Sequence, residues 1–179
     1  MTSISGYAEL MMNGMVRPEN IADFSGRIYK EANRLGNLVA DIIQLSRLDE
    51  QQDAVVSMES VELDELAKDV VNNLRDHAEK KNISLDYCGI PINIQGVRHV
   101  LYEMLYNIAD NAVRYTNPGG HIHIYVGRKG NRPFYRVEDD GIGIPKSEQK
   151  RIFERFYRVD KSHSRQTGGT GLGLSIVKH

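Results

Sequence analysis

Apolar residues recur at helical spacing from the first residues on. Ile4, Tyr7, Ala8, Leu10, Met11 and Met15 fall at the steps that line one helix face. Arg17-Pro18-Glu19-Asn20 predicts a turn, because Pro18 biases Arg17 away from helical geometry and is itself tolerated in a first helical turn. A longer helix follows, with Ile21, Phe24, Ile28, Ala32, Leu35, Leu38, Ile42 and Leu45 in steps of three and four, widened by Val39, Ile43 and Leu48. Two helices cannot cover so long a stripe between themselves. It belongs either to a hairpin packed on the rest of the chain or to half of a dimeric four-helix bundle.

The polar stretch DEQQDA, residues 49 to 54, predicts a linker, and after it the pattern changes class. Val55, Val56 and Met58 predict a short strand. VELDELAKDVVNNLRDHAEKKN predicts an amphipathic helix with Leu63, Leu66, Val70, Val71 and Leu74 on its apolar face. Ile83, Leu85 and Tyr87 alternate as in a half-buried strand, Pro91 to Ile94 predicts another, and a helix spans about Val97 to Tyr115. HIHIYVGRK and PFYRVEDD are strands joined at Gly130-Asn131, a hairpin signal. A short helix around RIFERFY and a last one in the apolar SIVKH complete the series. The expected fold class is α+β: a helical hairpin over residues 1 to 52, then residues 53 to 179 as a sandwich with a mixed sheet and helices on one face.

Composition narrows the function classes. At 179 residues, 40% hydrophobic and 26% charged, the chain has the make-up of a folded globular protein. A net charge of −1 supplies no general attraction to nucleic acid or anionic lipid, and no nucleic-acid partner or membrane contact by this segment is expected. No run approaches 18 apolar residues. The single cysteine, Cys88, cannot form an internal bridge and is expected as a buried thiol in a reducing compartment.

Three segments could carry chemistry. Steps of four put Glu103, Asn107 and Asn111 on one helix face, with Arg114 and Tyr115 following. A carboxamide oxygen suits Mg2+, and cationic and hydroxyl neighbours suit phosphate oxygens; alternatively the asparagines only bridge backbone. Asp139-Asp140-Gly141-Ile142-Gly143 follows a strand, where a carboxylate can accept from an exocyclic amine and glycines admit a flat ligand, although D-D-G is also an ordinary turn. The run Gly168 to Leu174 opens a helix, and glycines there offer unpaired N–H groups to a di- or triphosphate.

In their order and spacing these segments resemble the GHKL ATP-binding domain, and more closely a bacterial two-component sensor histidine kinase. NIADNAVRYT resembles its N box, VEDDGIGIP its first glycine box, RIFERFYRVD its F box and GGTGLGLSIVKH its second glycine box. The preceding hairpin resembles the dimerisation and histidine phosphotransfer domain. The resemblance implies Mg-ATP as the ligand, with Asn111 on the metal, Asn107 at the phosphates, and Arg114 and Tyr115 contacting phosphate or nucleotide. It implies Asp139 on the adenine amino group, Gly141 and Gly143 shaping the base pocket, and Phe153 and Phe156 anchoring a lid. The resemblance further implies Arg158 at the γ-phosphate, and Gly169, Thr170, Gly171, Leu172, Gly173 and Leu174 as the cradle of the phosphate chain. Glu103 sits where the family often has Gln or Glu. The implied catalytic set is Glu103, Asn107 and Arg158, and the implied partners are a second copy through residues 1 to 50 and a response-regulator receiver domain.

The same resemblance marks two departures. The accepting histidine of the family lies in a pattern like H-E-L-R-T-P-L-T-S-I, and Thr2, Ser3 and Ile4 match only its end. The six histidines here have other contexts, so the acceptor is expected before Met1 and the last strands after His179. The resemblance implies the core of an ATP-dependent protein-histidine kinase, a cytoplasmic segment of a parent anchored in the bacterial inner membrane. A non-enzymatic ATP-binding and dimerisation module and a GHKL ATPase of the gyrase type are the alternatives.

Overall fold

The computed structural model describes residues 4–50, 58–159 and 171–178. Helices α1 (Ile4–Met12) and α2 (Ile21–Glu50) form the hairpin, linked by a 3-10 turn at Pro18–Asn20. The ring of Tyr7 meets Phe24 edge-on at 5.3 Å, and Arg27 lies over Tyr7 while pairing with Asp23. No residue of α1 is buried. Leu35, Val39, Ile42 and Ile43 of α2 are exposed, so among the described residues the hairpin leaves its apolar stripe largely uncovered.

Then follow β1 (Glu59–Glu62), α3 (Leu63–Lys80), β2 (Ser84–Gly89), β3 (Asn93–Gly96), α4 (Arg98–Tyr115), β4 (His121–Lys129), β5 (Arg132–Asp139) and α5 (Gly173–Lys178). Strand β1 pairs antiparallel with β3. The second sheet has the order β2-β4-β5, parallel between β2 and β4 and antiparallel between β4 and β5, which is the expected mixed sheet. Helices α3 and α4 cover one face, through Leu66, Val70 and Leu74 from α3 and Leu105 and Ala109 from α4. Ile122, Ile124 and Val126 of β4 point into this core, whereas His121 and His123 point out, as a period of two requires. The hairpin turn is Gly130-Asn131, with Gly130 at φ 61° and Lys129 paired to Arg132, the geometry that glycine permits at the first turn position.

Four expectations change. The strand before α3 is Glu59–Glu62 and not Val55 to Met58: Met58 precedes it, and residues 55 to 57 lie outside the described residues. Val61 and Leu63 are both buried two residues apart, so the chain keeps strand periodicity until Leu63 and only then turns helical. The segment 49 to 54 is not all linker, because α2 runs to Glu50. Around RIFERFY only a 3-10 turn forms at Arg151–Phe153, because Glu154 is extended and Phe156 takes φ 64°. Cys88 is exposed, because Leu85 and Tyr87 take the inward positions of β2.

Candidate functional site

Helix α4 organises the site. Its core side carries Leu105, Ala109, Ala112 and Val113, and the opposite side presents half-buried Glu103, Asn107, Asn111 and Arg114, the face expected from steps of four. Arg114 pairs with Asp110 one turn back, which fixes the guanidinium along the helix. Glu103, at the N-terminal side, lines a groove with Leu66, Asp69, Arg98, His99 and Tyr102, toward α3. The Tyr135 hydroxyl donates to the Leu105 carbonyl and ties the helix to the sheet.

Two glycine segments close on α4 from different parts of the sequence. Where β5 ends, Asp139 Oδ1 accepts from the Gly141 amide at 3.1 Å, and the Ile142 amide donates to the Tyr115 carbonyl at 3.2 Å. A side chain at Gly141 would sit 2.6 Å from that same carbonyl, so only glycine admits this approach. Gly143 takes φ 67°, a left-handed conformation. At the other end, Gly173 opens α5 directly against Asn107, where a Cβ would lie 2.8 Å from its Oδ1. Leu172 is buried and its carbonyl accepts from the Ser175 hydroxyl, while Leu174 is half-buried. Leu38 of α2 packs on Leu172 and Ile176.

The aromatic segment meets the same end of α5. The Phe156 amide donates to the Gly171 carbonyl at 3.0 Å, and a Cβ on Gly171, which has φ 78°, would lie 2.9 Å from the Phe156 backbone. Phe153 and Phe156 are 37% and 57% exposed, so neither is a core anchor. Tyr157 bonds to Glu148 and lies under Arg151, whereas Arg158 is half-buried. Gly168, Gly169 and Thr170 lie outside the described residues.

Two residues that the sequence did not single out hold this frame. Asp140 accepts from the His121 amide at 2.8 Å and lies 3.0 Å from its ring Nδ1, fastening the first glycine turn to the start of β4. These bonds hold the Asp140 carboxyl below its ordinary value. Lys81 donates to the carbonyls of Val113, Arg114 and Thr116 at 2.7, 2.9 and 3.2 Å. The doubled acid in Asp139-Asp140 offered a weak hint of the first; nothing local marked the second.

Residues 96–179 match the family model for histidine kinase-, DNA gyrase B- and HSP90-like ATPases, and residues 1–51 match that for the His Kinase A (phospho-acceptor) domain. The sensor-like histidine kinase SenX3 of Mycolicibacterium smegmatis is 33% identical over 178 residues, covering 99% of this chain and 46% of that protein. The chain thus spans less than half the length of that curated relative. The solved structure of full-length ShkA in complex with AMPPNP is similar at 27% identity and TM-score 0.68, over 99% of this chain and 36% of that one. The histidine kinase ThkA, solved in complex with the response regulator protein TrrA, shares the fold at 23% identity and TM-score 0.72, over 88% of this chain and 46% of that one. With the two domain models matched in order over residues 1–51 and 96–179, the chain belongs to the sensor histidine kinases of the GHKL superfamily.

Proposed function

We propose that this chain is the nucleotide-binding and dimerisation core of its parent kinase, with residues 1 to 52 as the dimerisation hairpin and 53 to 179 as the ATP-binding domain. The observation that carries the reading is the double approach to α4. A glycine turn abuts Tyr115 at one end and a glycine-opened helix abuts Asn107 at the other, with Asn111 between them along α4 and Asp139 in the turn. The missing side chain at Gly173 lets the start of α5 approach the Asn107 carboxamide closely, and the carboxamide of Asn111 is a hard oxygen donor suited to Mg2+. When bound, the ion supplies neutralisation of phosphate charge.

In this reading Asn107 orients the phosphates, Arg114 and Tyr115 contact the nucleotide, Asp139 accepts from the adenine amino group, and Gly141 and Gly143 admit the base. Phe153 and Phe156 border a lid, Arg158 meets the γ-phosphate, and the stretch from Gly169 to Leu174 wraps the phosphates. Glu103 lies one turn before Asn107 on the same face of α4. The protein's contribution is positioning and charge, because phosphoryl transfer needs little covalent help. The γ-phosphate passes to a histidine of the parent and then to an aspartate of a response regulator, a partner that ThkA has in its solved complex. The uncovered stripe of α2, with the phospho-acceptor match over residues 1–51, supports pairing with a second copy. On the match to the kinase ATPase domain we assign this segment to the cytoplasm; among the described residues no helix is long and apolar enough to cross a membrane.

Calorimetric titration of Mg-ATP into the chain and into Asn111→Ala, with ADP release followed in parallel, tests the reading. Binding that weakens at least tenfold in the variant, without turnover, is the expected result. A folded sample that binds no nucleotide overturns it, and turnover of ATP to ADP moves the assignment to an ATPase.

A further inference from the structure

The C-terminal end of α4 is the part of the site where backbone groups need partners most, since a helix leaves its last carbonyls without intrahelical donors. Each one is accounted for. Ala112 accepts from the Thr116 amide, and Tyr115 accepts from the Ile142 amide of the first glycine turn. The other three, Val113, Arg114 and Thr116, all accept from the single ammonium of Lys81. Lys81 follows α3 directly, and its own amide donates to the Ala78 carbonyl. The next residue, Asn82, takes φ 56°, and its carbonyl accepts from Gly119, while Ser84 donates to the Gly120 carbonyl. The α3–β2 turn is thereby fastened to the α4–β4 turn.

We infer that Lys81 is a positioning residue for nucleotide binding: by holding the carbonyls on either side of Tyr115, it fixes the α4 terminus on which the first glycine turn docks. The inference rests on the nucleotide reading above. A cation at a helix C-terminus is also favoured by the helix dipole, so one side chain satisfies three acceptors and the field at once. Burial and the Arg114 guanidinium push the Lys81 ammonium below its ordinary value, and Asp110 opposes them. The side chain is half-buried, and its three hydrogen bonds run to these carbonyls. Loss of the cap frees Thr116 and Tyr115 to shift, and the Gly141 turn, packed on the Tyr115 carbonyl, shifts with them.

The test uses the 179-residue chain with Lys81→Met, which removes every donor, and Lys81→Arg, which keeps several. Two quantities are read well below the melting temperature: affinity for a fluorescent ATP analogue with Mg2+, and amide hydrogen exchange at Ile142. Lys81→Met is expected to weaken the analogue about tenfold and to speed Ile142 exchange about as much, with Lys81→Arg recovering most of both. A purely structural role raises exchange across all of α3, α4 and the sheet together and leaves the affinity of the folded fraction unchanged; that pattern overturns the inference. If the unsubstituted chain binds no analogue, the nucleotide reading fails, and Ile142 exchange still decides whether Lys81 sets the turn. Should Lys81→Met fail to fold, Lys81→Gln, with two donors on a shorter stem, gives the same comparison.

Discussion

Replacing Gly173 by alanine should separate ligand binding from stability. The new methyl would lie 2.8 Å from Asn107 Oδ1, whereas ordinary contact begins near 3.4 Å. The carboxamide must therefore retreat by about 0.6 Å, or rotate, and it can do so cheaply because it ends a side chain and not a backbone segment. Gly173 opens α5 without a left-handed φ, so alanine fits its backbone and stabilises by roughly 0.4–1 kcal/mol through the unfolded chain. Misplacing a positioning group by about 1 Å can cost a factor of about a hundred, and a shift of this size should weaken nucleotide binding on the order of tenfold. Thermal unfolding followed by circular dichroism, beside titration of an ATP analogue with Mg2+, reads both quantities. The expected pair is an unchanged or raised melting temperature with a weaker complex. Unchanged affinity with intact folding refutes the claim that Asn107 and Gly173 share the phosphate site.

Gly141→Ala should behave differently, because its Cβ would meet the Tyr115 backbone carbonyl at 2.6 Å and backbone cannot step aside. Denaturant unfolding should show a loss of about 1–3 kcal/mol, typical of overpacking. Asp140→Asn should lower the melting temperature at neutral pH. The folded carboxyl sits below its ordinary 3.8, so its contribution is present above that value and fades as acid protonates it. The gap between wild type and variant should therefore close toward low pH; a pH-independent gap would assign it to something other than charge. Ile43→Glu, on the uncovered stripe of α2, should shift sedimentation toward the monomer while leaving the melting of the α+β layer unchanged.

Most of the scaffold was legible because its residues repeat. The alternation through Ile122, Ile124 and Val126 places all three in the core, and the four-residue steps of Asn107 and Asn111 share one helix face. Errors arose where two periods meet or none exists. Val61 and Leu63 fit a strand, while Leu63, Leu66 and Val70 fit a helix, and only pairing with β3 decides where one ends. The apolar content of RIFERFY suggests a helix, but the left-handed Phe156 is set by its bond to Gly171, fifteen residues on. Cys88 could have been placed outward from the alternation of Leu85 and Tyr87. Lys81 could not: its three acceptors lie more than thirty residues away, and a lysine at a helix end looks like any solvated charge.

The parallel pairing of β2 with β4 also sets an order of assembly. Ser84 opposes His121 and Gly89 opposes Val126, so each pair closes a loop of about forty residues that contains all of β3 and α4, and such distant pairings are reached slowly. By contrast, β4 and β5 meet across two residues and can zip as soon as both have left the ribosome. Helix α4 therefore spends its early life as a tethered segment between an unattached β2 and a nascent hairpin, and the face of α4 that we propose for the nucleotide takes shape only when the crossover closes.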